Sequence, residues 1–275
     1  MEARGVACVT GAARGLGRAL SLELARRGFD VVATMRDPTG CGDLADEARA
    51  EGARLSTARL DVDRPGDFAP PPGLRVWVNN AALELTNDAV EHTPQDVWQA
   101  MLATNLLGAV ELTRRALPAL RAAGGGVVCN VTSASLLVPM PFFAAYRASK
   151  AALSAFGESL RSEVAPHGIR VLEVLPGALD TDMLRASSPL PDADAHATYR
   201  AQARHVAARR TAAVGDPTPP RAAAAAIVDA ILDDTAPLRV ACDPMGEALL
   251  AGWRARDDET WMTPLVKAFD PTSSD

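Results

Sequence analysis

Little in this 275-residue chain is suited to holding a metal ion or a polyanion. Its four cysteines, Cys8, Cys41, Cys129 and Cys242, show no CxxC or other ligand spacing, and two of them lie inside apolar, strand-like runs. They read as buried, reduced thiols, which leaves neither a disulfide framework nor a zinc site. The four histidines, His92, His167, His196 and His205, are scattered without a metal-site or triad partner, so each reads as a surface or turn residue. A basic excess is missing too: the net charge is −6, which excludes the electrostatic footprint of a nucleic-acid surface. The first apolar stretch, Val6 to Thr10, is too short for a signal-peptide core or a membrane span. The expectation is a cytoplasmic protein with no membrane and no polynucleotide partner.

What is present is a chain long enough for one large α/β domain over residues 1–275, with 48% hydrophobic residues. Short β-like runs alternate with helical stretches, the pattern of βαβ units and a mostly parallel sheet. The runs are Val6–Thr10, Val31–Thr34, Leu55–Asp61, Val76–Asn79, Gly126–Thr132, Arg170–Leu175 and Leu238–Ala241. Seven strands suffice for a doubly wound, Rossmann-like sheet with helices on both faces. Helical periodicity covers Leu16–Arg27, Asp43–Glu51, Pro94–Arg121 and Tyr146–Ala165, with Pro118 expected to end or kink the third and Gly28 to stop the first. Residues 185–221, rich in proline, alanine and charge, follow the carboxyl end of a strand, where open α/β sheets bind ligands, and are expected to form a lid. The alternative is a solvated connector. The tail, residues 242–275, carries Trp253, Trp261, Met262 and Phe269, too many apolar anchors for a free end, and is expected to pack on the body or on a neighbouring subunit.

Two motifs carry chemistry. TGAARGLG, with Gly11, Gly15 and Gly17, follows the first strand, and YRASK places Tyr146 and Lys150 one helical turn apart on one face. A glycine-rich turn alone shows only that a nucleotide can bind, and a Tyr/Lys pair alone is a common accident of helix surfaces. Together with Asn105 in TNLLG and Ser133 at the end of VVCNVTS, they stand in the order and spacing of the single-domain short-chain dehydrogenases/reductases, which the sequence strongly resembles from the first strand to about Leu238. The TGxxxGxG spacing is similar to that of the oxidoreductase branch rather than the epimerase branch.

That resemblance implies a set of roles. Gly11 permits the tight turn, Gly15 lets backbone approach a pyrophosphate, Gly17 allows close helix packing, and the helix starting near Leu16 points free N–H groups at the phosphates. Asp61, with the backbone of Val62 beside it, is expected to hold the adenine. Asn80 and Ala81 belong to a segment similar to the family's NNAG, except that Ala82 replaces glycine. Pro176, Gly177, Leu179 and Thr181, in a PGxxxT match, are expected at the nicotinamide end. Tyr146 is the implied acid/base, Lys150 the cation that favours its phenolate and holds the nicotinamide ribose, Ser133 the donor to the substrate oxygen, and Asn105 the holder of a water near the lysine. At about 5 Å and an effective dielectric of about 20, a lysine would be worth about 3 kcal/mol to a phenolate, or about two pKa units.

Coenzyme choice is read at the end of the second strand, where Met35 can neither grip a ribose 2′-hydroxyl nor repel a 2′-phosphate. Arg36 follows it and Arg14 lies inside the glycine turn, so two guanidiniums converging on a 2′-phosphate imply NADP, with NAD remaining possible through Asp37. The run Leu136 to Phe143 between Ser133 and Tyr146 is almost wholly apolar, and Met183 and Leu184 open the lid. These point to a hydrophobic ketone or secondary alcohol, and similarity to steroid and retinol dehydrogenases leans the same way; the alternative is that several of these residues are core. The resemblance also implies a homodimer or homotetramer built on Pro94–Arg121 and Tyr146–Ala165, with Ala148, Ala151, Ala152 and Ala155 allowing close approach. A cofactor-binding sensor without turnover, or an isomerase using a transient redox step, are the competing readings.

Overall fold

A computed structural model describes residues 1–187 and 190–272. Seven parallel strands, β1 (Val6–Thr10), β2 (Asp30–Met35), β3 (Leu55–Arg59), β4 (Leu74–Asn79), β5 (Gly126–Val131), β6 (Ile169–Val174) and β7 (Arg239–Val240), form one sheet in the order β3-β2-β1-β4-β5-β6-β7. The order reverses direction between β1 and β4, and the crevice beyond their carboxyl ends is where a doubly wound sheet accepts a ligand. Central strands are buried on both faces, so their side chains are apolar at nearly every position and the period of two only sorts them between layers. Ala7, Val9, Val78 and Cys129 pack on one face with Leu20 and Leu24 of α1 (Gly15–Arg26), whereas Cys8, Trp77 and Val128 face the opposite core with Leu112, Leu120 and Leu160.

All seven expected strands are present, with ends shifted by at most two residues. The third stops at Arg59, which leaves Asp61 in the turn beyond it, and the seventh shrinks to Arg239–Val240. After α2 (Leu44–Ala50), the long helix expected over 94–121 proves to be α3 (Gln95–Leu102), a π-helical stretch over Ala103–Gly108, and α4 (Ala109–Ala122). Pro118 does not end α4, which continues past it to Ala122. The interruption comes instead at the stretch that contains Asn105, where Gly108 lets the helix approach β3's exit so closely that a Cβ would lie 2.7 Å from the carbonyl oxygen of Val62. Short π segments of this kind recur at functional sites.

Helix α5 (Ala144–Val164) buries Tyr146, Ser149, Lys150, Leu153 and Gly157 at three- and four-residue spacing and leaves Ala148, Ala151 and Ala155 exposed. Beyond β6 the chain forms α6 (Asp182–Ser187), α7 (Arg200–Val214) and α8 (Pro220–Leu232), the last returning to pack beside α1. The stretch expected to be a lid is therefore largely helical; its residues 188 and 189 lie outside the described residues. The tail is two helices, α9 (Pro244–Arg254) and α10 (Asp258–Ala268), anchored on the body by Leu250, which is buried against Ala134, Leu137 and Leu175. Trp261 donates to the carbonyl of Leu137 at 2.6 Å. No helix among the described residues is long and apolar enough to cross a membrane.

Candidate active site

The carboxyl end of β1 leads into the glycine turn. Gly11 and Gly15 have φ of +67° and +56°, the left-handed region that side chains disfavour. A Cβ on Gly17 would lie 2.5 Å from Asn80 Nδ2 and would also strike the carbonyl oxygen of Gly11. Above Gly15, by contrast, a Cβ would first meet Thr181 at 3.5 Å, so the turn is roofed by the PGxxxT loop with an opening between them. The residues present thus fit a dinucleotide: an α-helix starts under the turn, and glycines at Gly11 and Gly15 leave the turn's backbone without side chains over it. Leu16 is buried beneath it.

Asn80 does not point into that opening. Its side chain donates to the carbonyls of Thr10 (2.9 Å) and Gly11 (3.2 Å), while Thr10 Oγ1 accepts from the backbone of Asn80 (3.0 Å) and Ala81 (3.1 Å). Thr10, passed over in the sequence, locks the two loops together. On the adenine side, Asp61 accepts from the backbone of Asp63. Met35 is buried, and Arg36 is exposed and makes no ion pair among the described residues. Arg14 reaches across to Asp182 at 3.5 Å, so the two guanidiniums do not converge in this arrangement. Asp37 caps the next turn, and the hydroxyl and backbone of Thr39 hold its carboxyl below the usual carboxylate range. A further base, Arg59, pairs in register with Met35 and acts on Asp37.

Beyond β5, Ser133 acts on the Tyr146 phenol and caps the following turn by accepting from Ser135 N at 3.2 Å. Lys150 is 2% exposed, lies 5.8 Å from the centroid of the Tyr146 ring, and donates to the carbonyl of Val131 at 2.8 Å. The fold thus brings Ser133, Tyr146 and Lys150 together as the spacing implied. The expected lowering of the phenol is not there. Burial pushes Tyr146 well above its ordinary value and the negative charge of Glu84 raises it further, against the Ser133 hydrogen bond. Burial brings Lys150 down to about 8, partly countered by Glu84. A dry cleft penalises both charged forms, and this outweighs their mutual attraction.

Asn105 accepts from Leu83 N (2.7 Å) and donates to Leu83 O (2.9 Å) and Ser149 Oγ (2.9 Å). Its side-chain amide clamps Leu83 to α5. The clamp fixes the backbone next to Glu84, a residue that sequence reasoning misses because a single acid in an apolar segment looks like a surface residue. Burial lifts Glu84 to about 7, against Arg210, Asn87, Ser187 and Lys150. Asn87 places its amide 3.1 Å from Glu84 Oε1. Arg210, on α7, lies 4.6 Å over the Phe143 ring and donates to the carbonyl of Ser187.

These charges stand beside the almost wholly apolar run Leu136 to Phe143. Leu137, Val138, Phe142 and Phe143 are largely buried, Leu137 against the tail and Phe142 against Tyr199, Ala203 and Val206 of the lid region. The stretch expected to bridge the cleft is thus partly core. Phe142 has φ of +68°, a strained backbone held by these contacts. Two histidines that look isolated in the sequence, His92 and His196, stack at 3.6 Å, and His196 meets Asp88 at 3.2 Å, pinning residues 192–199 to the segment after Glu84.

Glu84 yields a pH prediction. Its negative charge, present above about pH 7, raises the Tyr146 phenol. In Glu84→Gln that charge is gone, the phenolate forms more readily, and the rising limb of the alcohol-oxidation pH profile moves to lower pH. A limb that stays in place, or moves up, would show that Glu84 does not act on the phenol.

Comparison with known proteins agrees with this geometry. A family model described as short chain dehydrogenase matches residues 5–191. Estradiol 17-beta-dehydrogenase 2 of Rattus norvegicus is 36% identical over 187 residues, 64% of this chain but 48% of that protein, so the chain spans about half the length of this relative. The 3beta-hydroxysteroid dehydrogenase 1 of Eggerthella lenta is 30% identical over 197 residues, 68% of this chain and 75% of that protein. A short-chain dehydrogenase from Burkholderia cenocepacia, solved in complex with NADP, superposes with a TM-score of 0.75 at 29% identity, covering 97% of this chain and 99% of that one. With its glycine turn, its parallel sheet order and its Ser133–Tyr146–Lys150 cluster, the chain belongs to the short-chain dehydrogenase family.

Proposed function

We propose that the protein is an NADP(H)-dependent oxidoreductase that interconverts a hydrophobic ketone and its secondary alcohol. The observation that carries this is the burial of Tyr146 and Lys150 side by side, the Lys150 ammonium 5.8 Å from the phenol ring, with Ser133 acting on the phenol and a glycine turn at the end of β1. The bound coenzyme supplies or accepts the hydride. In reduction, Tyr146 gives its proton to the developing alkoxide while Ser133 donates to the same oxygen. A phenol pushed up by burial remains protonated at neutral pH, which is the form reduction needs. Oxidation needs the phenolate, and the ammonium of Lys150 then opposes the burial penalty. Asn105 serves by holding Leu83 and α5 in place. Gly11, Gly15, Leu16 and Gly17 take the pyrophosphate, Asp61 and Val62 the adenine, and Pro176, Gly177, Leu179 and Thr181 the nicotinamide end, with Asn80 and Ala81 bracing the turn.

NADP is favoured because Arg36 stands exposed and without an ion-pair partner among the described residues, while Asp37 is occupied by Thr39. The NADP-bound Burkholderia structure supports the same choice. Names of relatives acting on steroids support a bulky apolar substrate, and the Phe142 cluster under α7 supports a lid over it. Exposed Ala148, Ala151 and Ala155 on α5 and Leu107, 60% exposed, support assembly as a homodimer or homotetramer through that face.

The test is to follow NADPH and NADH oxidation with a panel of steroid, aryl-alkyl and sugar ketones. Steroid or aryl ketones with NADPH should turn over fastest. Arg36→Ala should weaken NADPH by about tenfold or more, the size of one charge-assisted hydrogen bond, and leave NADH nearly unchanged. Preference for sugar ketones would overturn the substrate class, and equal losses for both coenzymes would overturn the NADP assignment.

A further inference from the structure

The peptide unit joining Pro176 to Gly177 is gripped at both ends. Its carbonyl oxygen accepts from Ala134 N at 2.8 Å, and its N–H donates to Asp243 Oδ2 at 2.6 Å. Asp243 stands at the start of the tail, 3% exposed, and its other oxygen, Oδ1, accepts from Gly246 N at 2.9 Å to cap α9. The Cys242 thiol, 3.7 Å away, also faces Oδ2. Gly177 is fitted against this carboxylate: a Cβ there would lie 2.5 Å from Asp243 Oδ1 and 2.9 Å from Gly246 N. The Ala134 contact matters because Ser133, the donor for the substrate oxygen, is its neighbour. One buried carboxylate thus sets the plane of a peptide that lies between the substrate donor and the loop assigned to the nicotinamide.

We propose that Asp243 is a positioning residue for the reactive end of the coenzyme, and that the tail serves the site through it. This rests on the coenzyme reading above. A helix cap alone would stabilise α9 and nothing else. A peptide clamp has a different consequence: without the carboxylate, the partly buried N–H of Gly177 loses its partner, the peptide can rotate, and the nicotinamide end loses its fixed surface while the adenine end, built on β1 to β3, is unaffected.

The experiment measures binding of NADPH and of adenosine 2′,5′-bisphosphate, which carries only the adenine half, to the full-length wild type and to Asp243→Asn. The expected result is about a tenfold weaker NADPH and a lower kcat, with the half-molecule bound within about twofold of wild type. Gly177→Ala, whose methyl group presses on Asp243 Oδ1 and Gly246 N and so displaces the same peptide while the carboxylate stays, should give the same split and covers the case in which Asp243→Asn fails to fold. Equal losses for the two ligands, or no loss for either, would overturn the inference. A wild type that binds the half-molecule and NADPH equally well would overturn it too, whereas a wild type that binds neither overturns the coenzyme reading and this inference with it.

Discussion

Tyr146→Phe is expected to lower kcat by about 10²- to 10⁴-fold, the usual contribution of a positioned proton donor, with coenzyme affinity close to wild type. The ring is nearly fully buried, packed with Met101, Phe143 and Ala145, and phenylalanine fills the same volume, so the fold and the shape of the cleft are retained. What is lost is the hydroxyl on which Ser133 acts. Lys150→Ala should behave differently. It removes a buried cation and its bond to Val131, leaves that carbonyl without its donor, and is expected to damage coenzyme affinity and turnover together. Coenzyme fluorescence titration and single-turnover rates measure the two effects separately. Substantial turnover in Tyr146→Phe would mean that another group supplies the proton.

The second large effect belongs to the glycine turn, where two neighbouring glycines are expected to fail for different reasons. In Gly17→Ala the methyl group would overlap the carbonyl of Gly11 and sit 2.5 Å from Asn80 Nδ2. Asn80 is the side chain that ties the turn to the segment after β4, so the loops must separate, at a cost of about 1–3 kcal/mol and with loss of measurable coenzyme binding. Gly15→Ala has room, its nearest neighbour being Thr181 at 3.5 Å, and carries only the left-handed backbone penalty of about 1–2 kcal/mol. Its methyl group projects where the pyrophosphate is proposed to pass, so coenzyme binding should fall well beyond the loss in stability. Thermal denaturation with and without NADPH distinguishes them: Gly17→Ala should have the lower Tm without coenzyme, and Gly15→Ala should lose most of the Tm rise that NADPH gives the wild type. An unchanged rise in Gly15→Ala would remove the pyrophosphate from that opening.

The strands, the glycine turn and the Tyr146/Lys150 pair are legible in the sequence because each is local, and Ser133 joins them there only through the family resemblance. Apolar runs between turn signals need no partner to be recognised, and residues one helical turn apart share a face in any α-helix. Even the two-layer core follows from strands apolar at nearly every position. Contacts between distant segments are not legible. Glu84 looks like a surface acid until α7 brings Arg210 and α6 brings Ser187 to it, and Asp243, 66 residues beyond Gly177, gives no sign of reaching that peptide. The direction in which the phenol shifts is hidden for the same reason: spacing reveals that a lysine is near, but burial, which no spacing encodes, has the stronger influence on Tyr146. Asn105 shows the limit within one element, since helical periodicity runs on through residues 94–121 while the π-helical turn arises where Gly108 meets Val62. Sequence alone determined which chemistry-bearing residues stand on which elements. Tertiary packing decided their charge states and partners, because desolvation and hydrogen-bond saturation depend on everything that surrounds a group and not on its neighbours along the chain.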